Sequence, residues 1–127
     1  MINYLIDKLQ LDTSITAIVG TNIVPLSRLE GTSVPAIVLQ MVDATAEETK
    51  ARSINLDTTT VEVTTLANTP KAAWDLSILI RSSINGYSSG DDILSCQFSS
   101  WASDVFDSKE VFTITSTYIV LNKIANV

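Results

Sequence analysis

The sequence predicts an α+β fold: a mostly antiparallel sheet of four to five strands, with a long helix and N-terminal helices packed on one face. Two patterns carry this prediction. Apolar residues recur at helical spacing in three segments, and they recur at alternate positions in several others. The length of 127 residues suits a single domain, 1–127, with one core. The predicted order is α, α, β, β, β, α, β, β.

Two short helices are expected at the N-terminus. The first is Met1–Gln10, and the second, Ser14–Val19, follows Asp12 or Thr13 as its N-cap. Gly20 fits the left-handed residue that ends a helix. The first helix carries its apolar residues at helical spacing: Ile2, Leu5, Ile6 and Leu9.

Three strands are predicted next. Asn22–Leu26 reads as extended, and Pro25 limits it to a sheet edge. Ala36–Asp43 is apolar on both faces, so we expect both faces to be covered. Thr58–Ala67 alternates and reads as its return strand. The polar segment between these two, Ala44–Asp57, is predicted to be the tip of a long hairpin.

The long helix has the clearest boundaries. Asn68 or Thr69 is its N-cap, Pro70 occupies its first turn, and Asn85–Gly86 ends it after Ile84. Trp74 and Ile78 lie off its main apolar stripe and one turn apart. This second apolar face indicates either a subunit interface or cover for a loop or the N-terminal helix of the same chain.

Two closing strands complete the fold. They are Ile93–Trp101 and Val111–Leu121, joined by a turn over Asp104–Lys109. The first has one predicted core-facing side, formed by Leu94, Cys96 and Phe98.

Composition excludes several classes of function. There is no histidine and one cysteine, so the usual catalytic triads, an internal disulfide and multi-cysteine metal sites are excluded. The net charge is −6 and the eight basic residues are scattered, which argues against gripping nucleic acid. Charged residues make up 17%, below the usual ~25%, which predicts that a partner covers part of the surface.

The remaining polar motifs favour structural roles. Asp91 and Asp92 could bind a cation, but a turn is the simpler interpretation. Asp104 and Asp107 could be paired carboxylates for acid–base chemistry, yet they flank a predicted turn. Cys96 reads as a small buried apolar residue, and no glycine-rich phosphate loop occurs. We therefore expect no enzyme, no catalytic or metal-binding residue and no cofactor.

No targeting or spanning segment is expected either. The N-terminal decapeptide carries Asp7 and lacks a basic region, unlike a signal peptide. The longest apolar stretch, Val34–Val42, is far shorter than a membrane span.

Two segments resemble a known family. Ser14–Leu26, SITAIVGTNIVPL, is similar to the opening of the tail terminators of long-tailed bacteriophages, the small tail-completion proteins. Val34–Ala44, VPAIVLQMVDA, is similar to the strand that follows in that family. The chain departs from the pattern at Asn22, where arginine is common, and at Val24, where an aromatic residue is common.

The resemblance implies a structural virion protein of the tail and neck region, assembled in the host cytoplasm. It implies a homo-oligomeric ring, typically a hexamer, that caps the tail tube, stops its polymerisation and joins tail to head. Its partners would be the tail tube protein on one side and a head-completion or connector protein on the other. DNA would pass through the lumen without specific binding.

Candidate residues for the subunit interface follow from the residues themselves. A ring needs two different patches on each subunit. One candidate is the face of Trp74 and Ile78, and another is the charged hairpin tip with Glu47, Glu48, Lys50 and Arg52. The tip could equally be a solvated loop. Alternatives for the whole chain are another neck component, such as a head-closure protein or a tail-tube-like subunit, or a small-molecule-binding α+β module.

Overall fold

A computed structural model describes residues 2–20, 22–25, 35–47, 56–88, 93–106 and 111–123. Within these ranges the chain forms three helices and five strands in the predicted order. The helices are α1 (Ile2–Gln10), α2 (Thr13–Val19) and α3 (Pro70–Ile84). The strands are β1 (Ile23–Pro25), β2 (Ala36–Glu47), β3 (Leu56–Ala67), β4 (Ile93–Phe106) and β5 (Val111–Lys123).

The five strands form one sheet in the order β1-β2-β3-β5-β4. β1 runs parallel to β2, and the other neighbouring pairs are antiparallel. Helix α3 contacts β3, β5 and β4, while α1 contacts α2, α3, β1 and β2. The predicted α+β class and the mostly antiparallel sheet are therefore confirmed.

Side-chain caps and a tight turn define the helix ends, as predicted. The Asp12 carboxylate accepts a hydrogen bond from the Ser14 N–H at 2.9 Å, and the Thr69 hydroxyl accepts one from the Ala72 N–H at 3.1 Å. Gly20 ends α2 with φ of 61°, a conformation that other residues rarely adopt.

The end of α3 is bound to the sheet through two hydrogen bonds. The Gly86 N–H donates to the Cys96 carbonyl at 2.6 Å, and the Asn85 side-chain oxygen accepts from the Phe98 N–H at 2.9 Å. These bonds hold the end of the helix against β4, one of the two end strands of the sheet.

The main core lies between the helices and one face of the sheet. Its buried apolar residues come from all three helices and all five strands. They include Leu5, Leu9, Ile15, Val19, Ile23, Ile37, Leu39, Val61, Val63, Leu76, Ile80, Ile84, Ile93, Cys96, Tyr118 and Val120.

A second, smaller cluster lies on the opposite face of the sheet. It consists of Ala36, Val38, Leu66 and Val111, with Val24 packed against them. Both faces of β2 are therefore buried from Ala36 to Leu39, as predicted.

The prediction that both faces are covered is wrong for Gln40–Asp43, whose side chains are all exposed. The pairing of β2 with β3 shifts by one residue between Met41 and Asp43. The bulge changes the alternation from Val42 onward, whereas Gln40 and Met41 still pair regularly with β3 and lie beyond Leu39, the last β2 residue that pairs with β1.

Several strands extend beyond their predicted ends. Residues 44–47 and 56–57, predicted as part of a loop, belong to β2 and β3, and β4 continues through the predicted turn to Phe106. The hairpin tip at 48–55 lies outside the described residues.

Candidate interaction surfaces

Two tryptophans form an exposed aromatic pair where α3 meets β4. The ring centroids of Trp74 and Trp101 lie 4.9 Å apart in an edge-to-face arrangement with an interplanar angle of 63°. Trp74 is 36% exposed and Trp101 is 48% exposed. Aromatic side chains left open to this extent are typical of sites where a partner binds.

Trp74 is exposed because of its position on α3. Ala73, Leu76, Ser77 and Ile80 form the buried side of the helix, and Trp74 lies at its margin. Ile78, one turn later, is half-buried. Trp74 thus contacts Trp101 on β4 of its own chain, while about a third of its surface remains exposed. Its part in a subunit interface stays a prediction.

Sequence reasoning missed Trp101. Strict alternation from Cys96 and Phe98 would place Trp101 on the sheet face away from the helices. The pairing of β4 with β5 shifts between Phe98 and Ser100, so Trp101 pairs with Ser116 and returns to the helix-bearing face. The alternation of apolar and polar residues along the sequence does not show that the strand contains an extra residue at this bulge.

The structure does not describe the side chains of the other predicted interface residues. Glu47 is the last residue of β2, and its side chain is not described. Glu48, Lys50 and Arg52 lie outside the described residues. Their part in an interface therefore stays a prediction.

A polar cluster lies beneath the C-terminal half of α3. The Arg81 guanidinium carbon lies 3.6 Å from the centroid of the Phe98 ring, and Phe98 packs edge-to-face on Tyr118 at 5.7 Å. Within the described part of the chain, Arg81 Nε and the Tyr118 hydroxyl are buried and make no hydrogen bond of standard geometry, although the Arg81 side chain lies close enough to the hydroxyl to act on it. Burial raises the pKa of Tyr118, and the charge of Arg81 partly opposes that rise.

Cys96 is fully buried, as predicted. Burial raises the pKa of its thiol to about 11. The thiol is therefore protonated near neutral pH, which makes it a poor nucleophile.

Part of the sheet face away from the helices carries mostly polar residues. Two cross-strand rows show this: Gln40, Glu62, Thr117 and Ser100 form one, and Asp43, Thr60, Ile119 and Gln97 form the next. Their side chains are half-buried or exposed. We call these eight residues the open face. In the adjoining row, the Thr64 and Thr115 hydroxyls lie 3.1 Å apart.

The predicted acidic motifs yield no site among the described residues. No group of three or more Cys, Asp or Glu residues converges there on a possible metal position. Asp91, Asp92 and Asp107 lie outside the described ranges, and the side chain of Asp104 is not described. Among the helices that the structure describes, none combines the length and apolar composition needed to cross a membrane.

Comparison with known proteins gives a fold likeness. No protein-family model matches the sequence, and no curated protein is significantly similar to it. A solved structure titled "Virion of native gene transfer agent (GTA) particle" contains a chain that superposes with a TM-score of 0.69 at 13% identity. The superposition covers 94% of this chain and 92% of that one. The chain described above thus has the fold of a subunit in a gene transfer agent virion.

Proposed function

We propose that this protein is a structural virion component that acts as a tail terminator. In this role a ring of identical subunits caps the tail tube, stops its polymerisation and joins the tail to the head. The observation that carries the proposal is the end-to-end likeness to a chain of a gene transfer agent virion, which spans nearly the full length of both chains. The resemblance of Ser14–Leu26 and Val34–Ala44 to the tail-terminator family selects this role among the components of such a particle.

The subunit surface suits a ring. Head-to-tail contacts need two different patches on each copy, on opposite sides. Exposed apolar side chains lie on two well-separated strands: Trp101 on β4, an end strand of the sheet, and Met41 and Val42 on β2, next to the other end strand β1. The low content of charged residues, 17%, agrees with a subunit that buries several surfaces in an assembly.

The charge also suits a channel for DNA. The net charge of −6 gives no electrostatic attraction for phosphates, so DNA passing through the ring would not be held. The open face carries one acidic residue on each of β2 and β3, Asp43 and Glu62, among neutral side chains. Such a surface can contact DNA through its hydroxyl and amide groups, but it does not attract the DNA phosphates by charge.

The experiment is co-expression with the tail tube protein encoded in the same genome. We expect tubes of limited length with a ring of this protein at one end in electron micrographs, and overlong tubes when the protein is omitted. Binding to purified connector rings but never to tube ends would replace the proposal with the head-closure alternative. Tubes of unchanged length that carry no ring would contradict the proposal.

A further inference from the structure

One asparagine of the chain directly precedes a glycine: Asn85, at the end of α3, is followed by Gly86. An asparagine side chain is attacked most readily by the next backbone nitrogen when the next residue is glycine, because glycine has no Cβ to hinder the approach. Asn85 is therefore the asparagine of this sequence most prone to spontaneous deamidation. Each of the others precedes a residue with a larger side chain: Asn3, Asn22, Asn55, Asn68, Asn122 and Asn126.

The reaction needs only water and a base. The backbone nitrogen of Gly86 loses its proton and attacks Cγ of Asn85. The bond from Cγ to the side-chain nitrogen breaks, ammonia leaves, and a succinimide ring remains. Water then adds to one of the two ring carbonyls, and the ring opens to aspartate or to isoaspartate. No group is oxidised or reduced.

The backbone conformation of Asn85 opposes closure of that ring. In the succinimide, the Gly86 nitrogen and the Asn85 Cβ eclipse each other about the Cα–C bond of Asn85. The ψ angle of Asn85 is 122°, an extended value that turns the Gly86 nitrogen well away from Cβ. The chain must therefore rotate about this bond before the attack.

Two hydrogen bonds to β4 prevent the rotation. The Gly86 N–H donates to the Cys96 carbonyl at 2.6 Å, so the attacking nitrogen is held by its proton. The Asn85 side-chain oxygen accepts from the Phe98 N–H at 2.9 Å, which fixes the group that would be attacked. Rotation about the Cα–C bond of Asn85 breaks the first of these bonds.

The neighbouring contacts hold the same end of the helix. The Asn85 N–H donates to the Arg81 carbonyl at 3.0 Å, and the Arg81 guanidinium lies over the Phe98 ring at 3.6 Å. Asn85 and Gly86 are themselves exposed, so water and base reach them once the bonds to β4 open. Local opening of a helix end requires less free energy than unfolding of the whole domain.

We propose that Asn85 is a deamidation site that reacts only when the end of α3 detaches from β4. The inference goes beyond the proposed virion role and does not depend on it. In the closed state, with both hydrogen bonds formed, the asparagine is protected. The isoaspartate product carries an extra carbon in the main chain, so the two bonds cannot both re-form and the opening leaves a permanent chemical record.

Incubation of the full chain at mildly alkaline pH, with and without concentrated urea, tests the protection. Peptide mapping by mass spectrometry measures aspartate and isoaspartate at position 85. We expect deamidation to be at least about tenfold slower in the native buffer, because the two hydrogen bonds must open first. A peptide of residues 82–88, measured in both solvents, corrects for the effect of urea on the chemistry. Equal corrected rates would overturn the proposal.

A matched pair of variants tests whether the contact with β4 controls the reaction. Arg81→Ala removes the stacking on Phe98 but leaves Asn85 and Gly86 unchanged, and it should raise the native rate about two- to fivefold. Lys71→Ala removes the same charge from the first turn of α3, where the side chain is exposed, and should leave the rate unchanged. Equal rates in the two variants would contradict control by the end of the helix.

Hydrogen exchange distinguishes local from global opening. In the native protein the Gly86 amide should be less protected than the amide of Val63, which lies on the central strand β3, after correction for intrinsic exchange rates. Protection of Gly86 equal to that of Val63 would show that only global unfolding exposes Asn85, and it would overturn the proposed detachment of the helix end.

Discussion

The two faces of the sheet are built from the same strands but have different roles. On the helix-bearing face, Val61, Val63 and Tyr118 are fully or almost fully buried. On the open face, Thr60, Glu62 and Thr117 from the same two strands are only half-buried. The helices determine the difference, since those that the structure describes all pack on one face. The covered face therefore contains the main core, and the side chains of the open face remain partly exposed.

The largest expected contrast comes from removing one apolar side chain from each face. Leu76→Ala empties space in the main core, where Leu76 is fully buried, and should lower the free energy of unfolding by about 2–5 kcal/mol. Ile119→Ala on the open face, where Ile119 is 36% exposed, should cost about 1 kcal/mol or less. Urea unfolding of both variants measures the two values. Equal losses would show that the open face is as tightly packed as the core.

Alkaline pH should weaken the helix-bearing face selectively. Burial raises the pKa of Cys96 from 9.0 to about 11, and the pKa of Tyr118 on the same face is also raised by burial. An unfolded thiol loses its proton first, so this stability is complete below pH 9 and is lost as the pH rises through 11. The urea midpoint should fall over that interval.

A cysteine variant isolates the thiol from the tyrosine. In Cys96→Ala the decline of the urea midpoint between pH 9 and 11 should be shallower, because only Tyr118 still contributes. The slopes are compared rather than the absolute stabilities, since the alanine variant also loses packing. An unchanged slope would show that the thiol does not titrate as a buried group.

Trp74→Asp should separate folding from assembly. The loss of the edge-to-face contact with Trp101 and of part of the buried area should cost roughly 1–2 kcal/mol, with cooperative unfolding retained. Self-association or tube binding should be lost. Circular dichroism and native mass spectrometry measure the two effects. Loss of cooperative unfolding would instead make Trp74 a core residue.

Adjacent threonines provide the finest comparison of the two faces. The buried Thr65 hydroxyl lies 3.1 Å from the Ala73 carbonyl and 3.3 Å from the Ile114 carbonyl, linking α3 to the sheet. Thr65→Val should cost about 1 kcal/mol of unfolding free energy. Thr64→Val, which removes the half-buried hydroxyl pair with Thr115, should change it by about 0.5 kcal/mol or less. Thermal unfolding measured by calorimetry gives both values.

Short-range patterns in the sequence were sufficient to locate the helices and strands approximately. Thr69 with Pro70, Asp12 and Gly20 mark helix ends through backbone hydrogen bonds and steric limits that act within a few residues. The burial of Cys96 also followed from the alternation of its strand. Trp74 was identified as a residue off the buried stripe for the same reason, since helical periodicity is local.

The partner of Trp74 could not be obtained in this way. Trp101 reaches the helix-bearing face through a bulge, and Val42 lies in another. A bulge is defined by which residue of the neighbouring strand each residue faces. That information lies in the pairing of β4 with β5 and of β2 with β3. These pairings join residues that are far apart along the chain, whereas periodicity describes only neighbouring residues.

By itself the sequence determined the α+β class, the order and approximate ends of the helices and strands, and the absence of histidine chemistry, because each depends on composition or short-range pattern. Only the tertiary structure decided the strand order β1-β2-β3-β5-β4, the register shifts, and the contact between the exposed Trp74 and Trp101. These depend on contacts between segments far apart along the chain, whose geometry exists only once the sheet has formed.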